Sequence, residues 1–168
     1  MKLFCFGFGQ VAQSFVDHLL SCKVDLKLIT TSRKNTSELT FKNLKYSNYE
    51  FNENDFDKDL IKPLQESDHI LISVPPINGK DMFIEKLVKN NLNLPNLKWL
   101  TYLSSTSVYG NHDGAWVNED STTDPQTPAG KNRLKVENDW LSIGIKNSLP
   151  IQIFRLSGIY SDRYNAIT

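Results

Sequence analysis

Apolar residues fall along the chain in two rhythms. Short apolar runs alternate with longer segments whose apolar positions recur every three or four residues, the first rhythm marking strands and the second helices. Strands are predicted at Lys2–Phe6, Val24–Thr30, Leu44–Ser47, His69–Val74, Leu97–Ser104 and Ile151–Leu156. Between them, Gln10–Cys22 reads as a helix on Val11, Phe15, Leu19 and Leu20, and Lys80–Asn91 and Gly130–Ile145 read as two more. Pro75 and Pro76 end the fourth strand, because proline has no N–H to give to a ladder. The acids Asp55, Asp57 and Asp59 suit the first turn of a further helix, where they complement its dipole. This alternation predicts an α/β chain: a Rossmann-like, doubly wound parallel sheet of order 3-2-1-4-5-6, with residues 1–168 as one nucleotide-binding domain.

Composition narrows the function classes. With 168 residues, 39% of them hydrophobic, the chain can bury a core without disulfide or metal staples. Its 19 basic and 19 acidic residues cancel, which removes the electrostatic footprint of a nucleic-acid or anionic-membrane binder. No run approaches the roughly 18 apolar residues of a spanning helix, and Gly7 interrupts Leu3–Phe6 before a signal-peptide core could form. A cytoplasmic protein is expected. Cys5 and Cys22 fit no disulfide, zinc or CxxC spacing and read as small buried hydrophobes. No metal site is expected either: His18, His69 and His112 lie at no ligand spacing. The series Asp55, Asp57, Asp59 and Glu66 has Leu60 where a calcium loop needs glycine.

Candidate chemistry begins at Gly7-Phe8-Gly9-Gln10-Val11-Ala12, between the first strand and the first helix. Gly7 permits a tight turn, Gly9 lets backbone approach a pyrophosphate, and Ala12 lets helix and strand pack closely. Gln10 and Val11 open the helix, whose unpaired N–H groups and partial positive charge suit a phosphate. The second strand runs into Thr30-Thr31-Ser32-Arg33-Lys34, with no acid between Asp25 and Glu38. An acid there would accept from an adenosine ribose, whereas Thr31, Ser32 and Arg33 suit a 2′-phosphate, so NADP is expected in preference to NAD. Arginine is not this chain's generic charge, since only Arg33, Arg133, Arg155 and Arg163 occur among the 19 basic residues. A solvated charge pair after a strand is the alternative.

Two further segments carry a family resemblance: Tyr102-Leu103-Ser104-Ser105-Thr106-Ser107-Val108-Tyr109-Gly110 and Asp124-Pro125-Gln126-Thr127-Pro128. With Ser73-Val74-Pro75-Pro76 and Arg155-Leu156-Ser157-Gly158-Ile159-Tyr160, the chain resembles the extended short-chain dehydrogenase/reductases, the group of nucleotide-sugar epimerases, dehydratases and related reductases. The resemblance implies that Ser73, Pro75 and Ser104 border the cofactor and that Ser105, with Thr106 beside it, meets the substrate oxygen. That family opens its catalytic helix with Tyr-x-x-x-Lys, and Ala129 and Arg133 stand at those places here. Ala129 has no proton to exchange, and Arg133 keeps the charge with a different geometry. The departure resembles the atypical members of the superfamily. Tyr109 is the first candidate for a replacement proton donor and Tyr160 the second. Typical members continue well past this chain's last strand, so their C-terminal substrate part is absent or truncated here. The family also implies a homodimer, with helices Lys80–Asn91 and Gly130–Ile145 paired across its axis.

Two function classes follow. One is an NADP-binding atypical reductase of the epimerase/dehydratase group, transferring hydride on a sugar nucleotide or similar polar metabolite. The other is a non-catalytic dinucleotide-binding sensor or interaction module, or an inert truncated enzyme, for which a kept glycine turn and a lost Tyr-Lys pair are the expected pattern.

Overall fold

Leu3, Phe4, Cys5 and Phe6 are all fully buried, because their strand, β1 (Lys2–Phe6), is the middle of a seven-stranded sheet covered on both faces. The computed structural model describes residues 1–33, 37–51 and 58–160. On one side of β1 lie β2 (Lys27–Ser32), β4 (Leu44–Glu50) and, at the edge, β3 (Ser37–Phe41). On the other lie β5 (His69–Ile72), β6 (Trp99–Ser105) and β7 (Ile151–Leu156). Every pairing is parallel except β3 with β4. With β3 set aside, the order is the predicted 3-2-1-4-5-6.

The edge strand β3 is an addition to the expected set. It forms a hairpin with β4 around Lys42 and Asn43, whose φ angles are 43° and 69°. A two-residue hairpin loop needs positive φ at both positions, and it usually announces itself with glycine. Neither residue here is glycine, so the turn gives no ordinary signal. The strand itself is almost wholly exposed and lacks an apolar run.

Among the described residues four helices cover the sheet. Of these, α1 (Gln10–Ser21) packs on one face, where Ala12 and Val16 meet Leu3, Cys5, Leu28, Leu71 and Leu103. On the other face α2 (Lys58–Glu66), α3 (Met82–Lys89) and α4 (Pro128–Asn147) bring Leu60, Leu64, Phe83, Leu87, Val136 and Trp140 onto Phe4, Phe6, Ile70, Ile72, Leu100 and Tyr102. Asp59 lies in the first turn of α2, as expected, whereas Asp55 and Asp57 lie outside the described residues.

Boundaries shift where a cap or a crossover decides them. Asp81 starts α3: its Oδ1 accepts from the N–H groups of Phe83 (2.8 Å) and Ile84 (3.2 Å), and its Oδ2 from Trp140 Nε1 (3.2 Å). α4 begins two residues earlier than predicted, with Thr127 accepting from Gly130 N–H at 3.0 Å and Pro128 in the first turn. β2 starts at Lys27 and runs on through Ser32, so Thr31 and Ser32 belong to the strand. Cys22 corrects another expectation: it caps the C-terminus of α1 and is exposed, while Cys5 is buried and its thiol pushed up by that burial. Among the described residues no helix is long and apolar enough to cross a membrane, and no group of His, Cys, Asp or Glu could hold a metal ion.

Candidate functional site

The glycine turn is fastened from both neighbouring strands. Gly7 N–H donates to Thr31 Oγ1 at the end of β2 (3.1 Å), and Ser73 Oγ after β5 donates to the Gly7 carbonyl (3.2 Å). Gly7 has φ +81°, and a Cβ there would come within 3.0 Å of Val74 Cγ2, so a side chain is excluded twice over. Gly9 differs. Its φ is an ordinary −81°, and a Cβ would meet nothing within 4 Å. Gly9 is the N-cap of α1, and no side chain caps that helix. Phe8, between the two glycines, turns outward and packs its ring 5.3 Å from Phe41 and 5.4 Å from Tyr46 on the β3–β4 hairpin.

Gly9, Gln10 and Val11 form one wall of a cleft of about 330 Å³ at the carboxyl ends of the strands. Ser73, Leu103, Ser104, Ser105, Arg133, Leu156, Ser157 and Ile159 complete its lining. Open parallel sheets place ligands at this position, where the connections from β1 and β5 leave in opposite directions. The sequence thus brought Gly9, Gln10, Val11, Ser73, Ser104, Ser105 and Arg133 to one place. Leu103, Leu156, Ser157 and Ile159 are not singled out individually by the sequence, although all four lie in the segments that carry the family resemblance.

Arg133 reaches the cleft from the second turn of α4. Its Nη1 donates to the Leu103 carbonyl at 2.7 Å and stands 3.5 Å from the Tyr102 hydroxyl. Burial pushes the Tyr102 phenol up to about 12, outweighing the nearby guanidinium. Ser105 Oγ accepts from Ser107 N–H at 3.2 Å, capping the short 3-10 turn Thr106–Val108, and its own proton is left to donate. Ser104 is 3% exposed and its hydroxyl has no hydrogen-bond partner.

Several candidates are placed elsewhere. Thr31 is buried and spends its oxygen on Gly7, while Ser32 accepts from Asn48 Nδ2 (2.9 Å) in a chain that continues from Asn48 Oδ1 to Thr30. Arg33 is exposed at the end of β2. Pro75 borders a small gap beside Phe51 and Asp81. Thr106 and Tyr109 line a second cavity, of about 650 Å³, together with Glu137 and Arg155. Tyr109 lies under the Arg155 guanidinium, 4.8 Å from its ring centre, and its carbonyl is 3.1 Å from His112 Nε2. Tyr160 is exposed beyond β7. Among the described residues the cleft lining therefore contains no Tyr, His, Cys, Lys, Asp or Glu side chain, and its one charged group is Arg133.

No protein-family model and no curated protein matches the chain. Solved structures do. A functionally unknown conserved protein from Silicibacter pomeroyi superposes with a TM-score of 0.73 at 28% identity, over 95% of this chain and 54% of that one. UDP-glucuronic acid 4-epimerase from Bacillus cereus, solved in complex with NAD, gives 0.71 at 20% identity over 100% of this chain and 60% of that one. dTDP-glucose 4,6-dehydratase from Bacillus anthracis, also in complex with NAD, gives 0.72 at 20% over 96% and 56%. This chain thus spans between about half and three fifths of the length of the structures it matches. Its fold is the Rossmann-like fold of the nucleotide-sugar epimerases and dehydratases, as the resemblance implied.

Proposed function

We propose, for a chain with this fold, that the cleft between the Gly9 turn and Arg133 binds a nicotinamide dinucleotide. One observation carries the reading: Gly9 opens on empty space at an uncapped helix N-terminus, where a bare backbone admits a pyrophosphate. The unpartnered Ser104 hydroxyl in the wall fits the same group, because the protein leaves that donor unspent. Gln10 and Val11 N–H groups would hold the phosphates, Ser73 and Ser104 the inner ribose, and Leu103 and Leu156 would offer the nicotinamide an apolar surface. NADP is proposed over NAD because Arg33 directly follows β2 and the sequence holds no acid between Asp25 and Glu38.

When bound, the dinucleotide supplies hydride exchange with a carbon that bears oxygen. The chain's residues orient such a partner through Ser105, whose hydroxyl proton is unspent, and exclude water with Leu156 and Ile159. A sugar nucleotide or similar polar metabolite is the substrate class this reading takes. A second reading, a non-catalytic dinucleotide sensor, is favoured by the lining itself: none of its side chains can exchange a proton near neutral pH. Both readings share the homodimer proposal, supported by apolar residues exposed on α3 and α4: Val88, Leu141 and Ile145.

Paired calorimetric titrations with NADPH and NADH test the reading without turnover. Binding with NADPH preferred, and loss of that preference in Arg33→Ala, is the expected result. Absence of binding for both removes the cofactor from this chain. Oxidation of NADPH in a screen of sugar nucleotides separates enzyme from sensor.

A further inference from the structure

Arg133 and Glu137 stand four residues apart on α4, the spacing at which a helical ion pair forms. They do not pair. Glu137 is 1% exposed and its carboxylate is taken by Arg155, whose Nε lies 3.2 and 3.1 Å from Oε1 and Oε2 and whose Nη2 lies 2.8 Å from Oε2. Arg155 is thereby neutralised and Arg133 is left without a counter-charge. The guanidinium of Arg133 uses Nη1 on the Leu103 carbonyl, and no described residue accepts from its Nε–Nη2 edge. That edge is a two-donor fork of the kind that matches two oxygens of an oxyanion. The surrounding wall supplies a further donor, Ser105 with its proton unspent. It supplies no carboxylate to compete for the fork.

We propose that the cleft recognises a ligand carrying a carboxylate or phosphoryl group, held by the open edge of Arg133 with Ser105. This inference rests on the dinucleotide reading of the same cleft and names the chemical class of its second ligand. The oxyanion balances the one charge the cleft contains and fixes the ligand's orientation. A neutral ligand of the same shape would leave the guanidinium uncompensated, so the site discriminates by charge.

The test titrates the purified chain, alone and saturated with NADPH, with oxalate, with inorganic phosphate, and with neutral oxamide. Oxalate or phosphate binds and oxamide does not. The tighter of the two anions tells a carboxylate site from a phosphoryl site. In Arg133→Met, anion affinity falls about tenfold or more, and falls further than NADPH affinity. Arg133→Lys, which keeps the charge without the fork, falls between. Anion binding equal in wild type and Arg133→Met, or no anion binding in either form of the chain, overturns the proposal. So does a loss confined to NADPH, which makes Arg133 a ribose ligand. Should NADPH fail to bind wild type, the dinucleotide reading falls, and the titrations of the chain alone still decide the anion.

Discussion

Arg155 lies between Glu137 and Tyr109, pairing with the buried carboxylate and covering the aromatic ring at 4.8 Å. The contact ties β7, at the sheet edge, to α4 and to the turn after β6. Hydrogen bonding to Glu137 raises the guanidinium's proton affinity further, so Arg155 keeps its charge in alkali. Glu137→Ala leaves Arg155 partly buried without its partner and should cost roughly 3–5 kcal/mol of unfolding free energy. Urea melts at low and high salt check this. Because Glu137 is 1% exposed, the loss should persist at high salt.

Asp81 joins α3 to α4, holding two N–H groups of one helix and the indole of Trp140 on the other. Asp81→Ala removes a cap and strands a buried donor, a loss of roughly 2–4 kcal/mol measurable by thermal or urea melts. The pH dependence has a definite sign. Burial holds the Asp81 carboxyl above its usual range despite its hydrogen bonds. The folded state therefore binds this proton more tightly than the unfolded chain. Its contribution favours folding as pH falls through the raised value, and the gain levels off below about 3.9. Asp68 runs the other way: burial raises it, but hydrogen bonds from His69 and from the Lys2 backbone prevail, so its contribution is lost in acid. Comparing wild type with Asp81→Asn across mildly acidic pH isolates the Asp81 part, which should vanish in the variant.

The two glycines of the turn should respond oppositely to alanine. Gly9→Ala meets open space at an ordinary φ, so the melting temperature should stay within a degree or two of wild type, a shift of a few tenths of a kcal/mol. Its methyl stands where a pyrophosphate would lie, so dinucleotide affinity should fall about tenfold or more. Gly7→Ala should destabilise by roughly 1–3 kcal/mol, because it combines a left-handed φ with contact at Val74. A calorimetric titration beside a thermal melt reads both. Unchanged affinity in Gly9→Ala would remove the phosphate from this turn.

Among the described residues two buried hydroxyls have no partner, Thr101 Oγ1 and Ser104 Oγ. Thr101→Val keeps the shape and deletes an unsatisfied group, so it should stabilise by about 1 kcal/mol without touching ligand binding. Ser104→Ala should likewise hold or raise the melting temperature while weakening the ligand. A stability gain at both with a binding loss only at Ser104 separates a functional hydroxyl from an incidental one.

The core of the fold was legible because β1, β5 and β6 carry apolar runs that a central parallel strand requires, and Gly7 and Gly9 follow the first of them at once. Arg133 was legible through its place in a helical motif. What a strand's pattern does not show is which way a turn leaves it. Ser105 and Tyr109 are four residues apart across a 3-10 turn, and they line different cavities. Thr31 looked like a ligand for a 2′-phosphate because it was read as lying beyond the strand, and the extra length of β2 turned it toward Gly7. The pairing of Glu137 with Arg155 joins a helix to a strand 18 residues on, and no local spacing announces it.

Phe8 gives the hairpin an influence its exposure conceals. The residue between the two glycines of the turn is anchored on the rings of Phe41 on β3 and Tyr46 on β4. A one-residue insertion at Lys42 or Asn43 would slip that register and turn Phe41 to the opposite face. The turn would lose its outer brace with every lining residue unaltered. Loop length at the sheet edge is thereby a dial on the cleft, one that variation can move without a single substitution in the pocket.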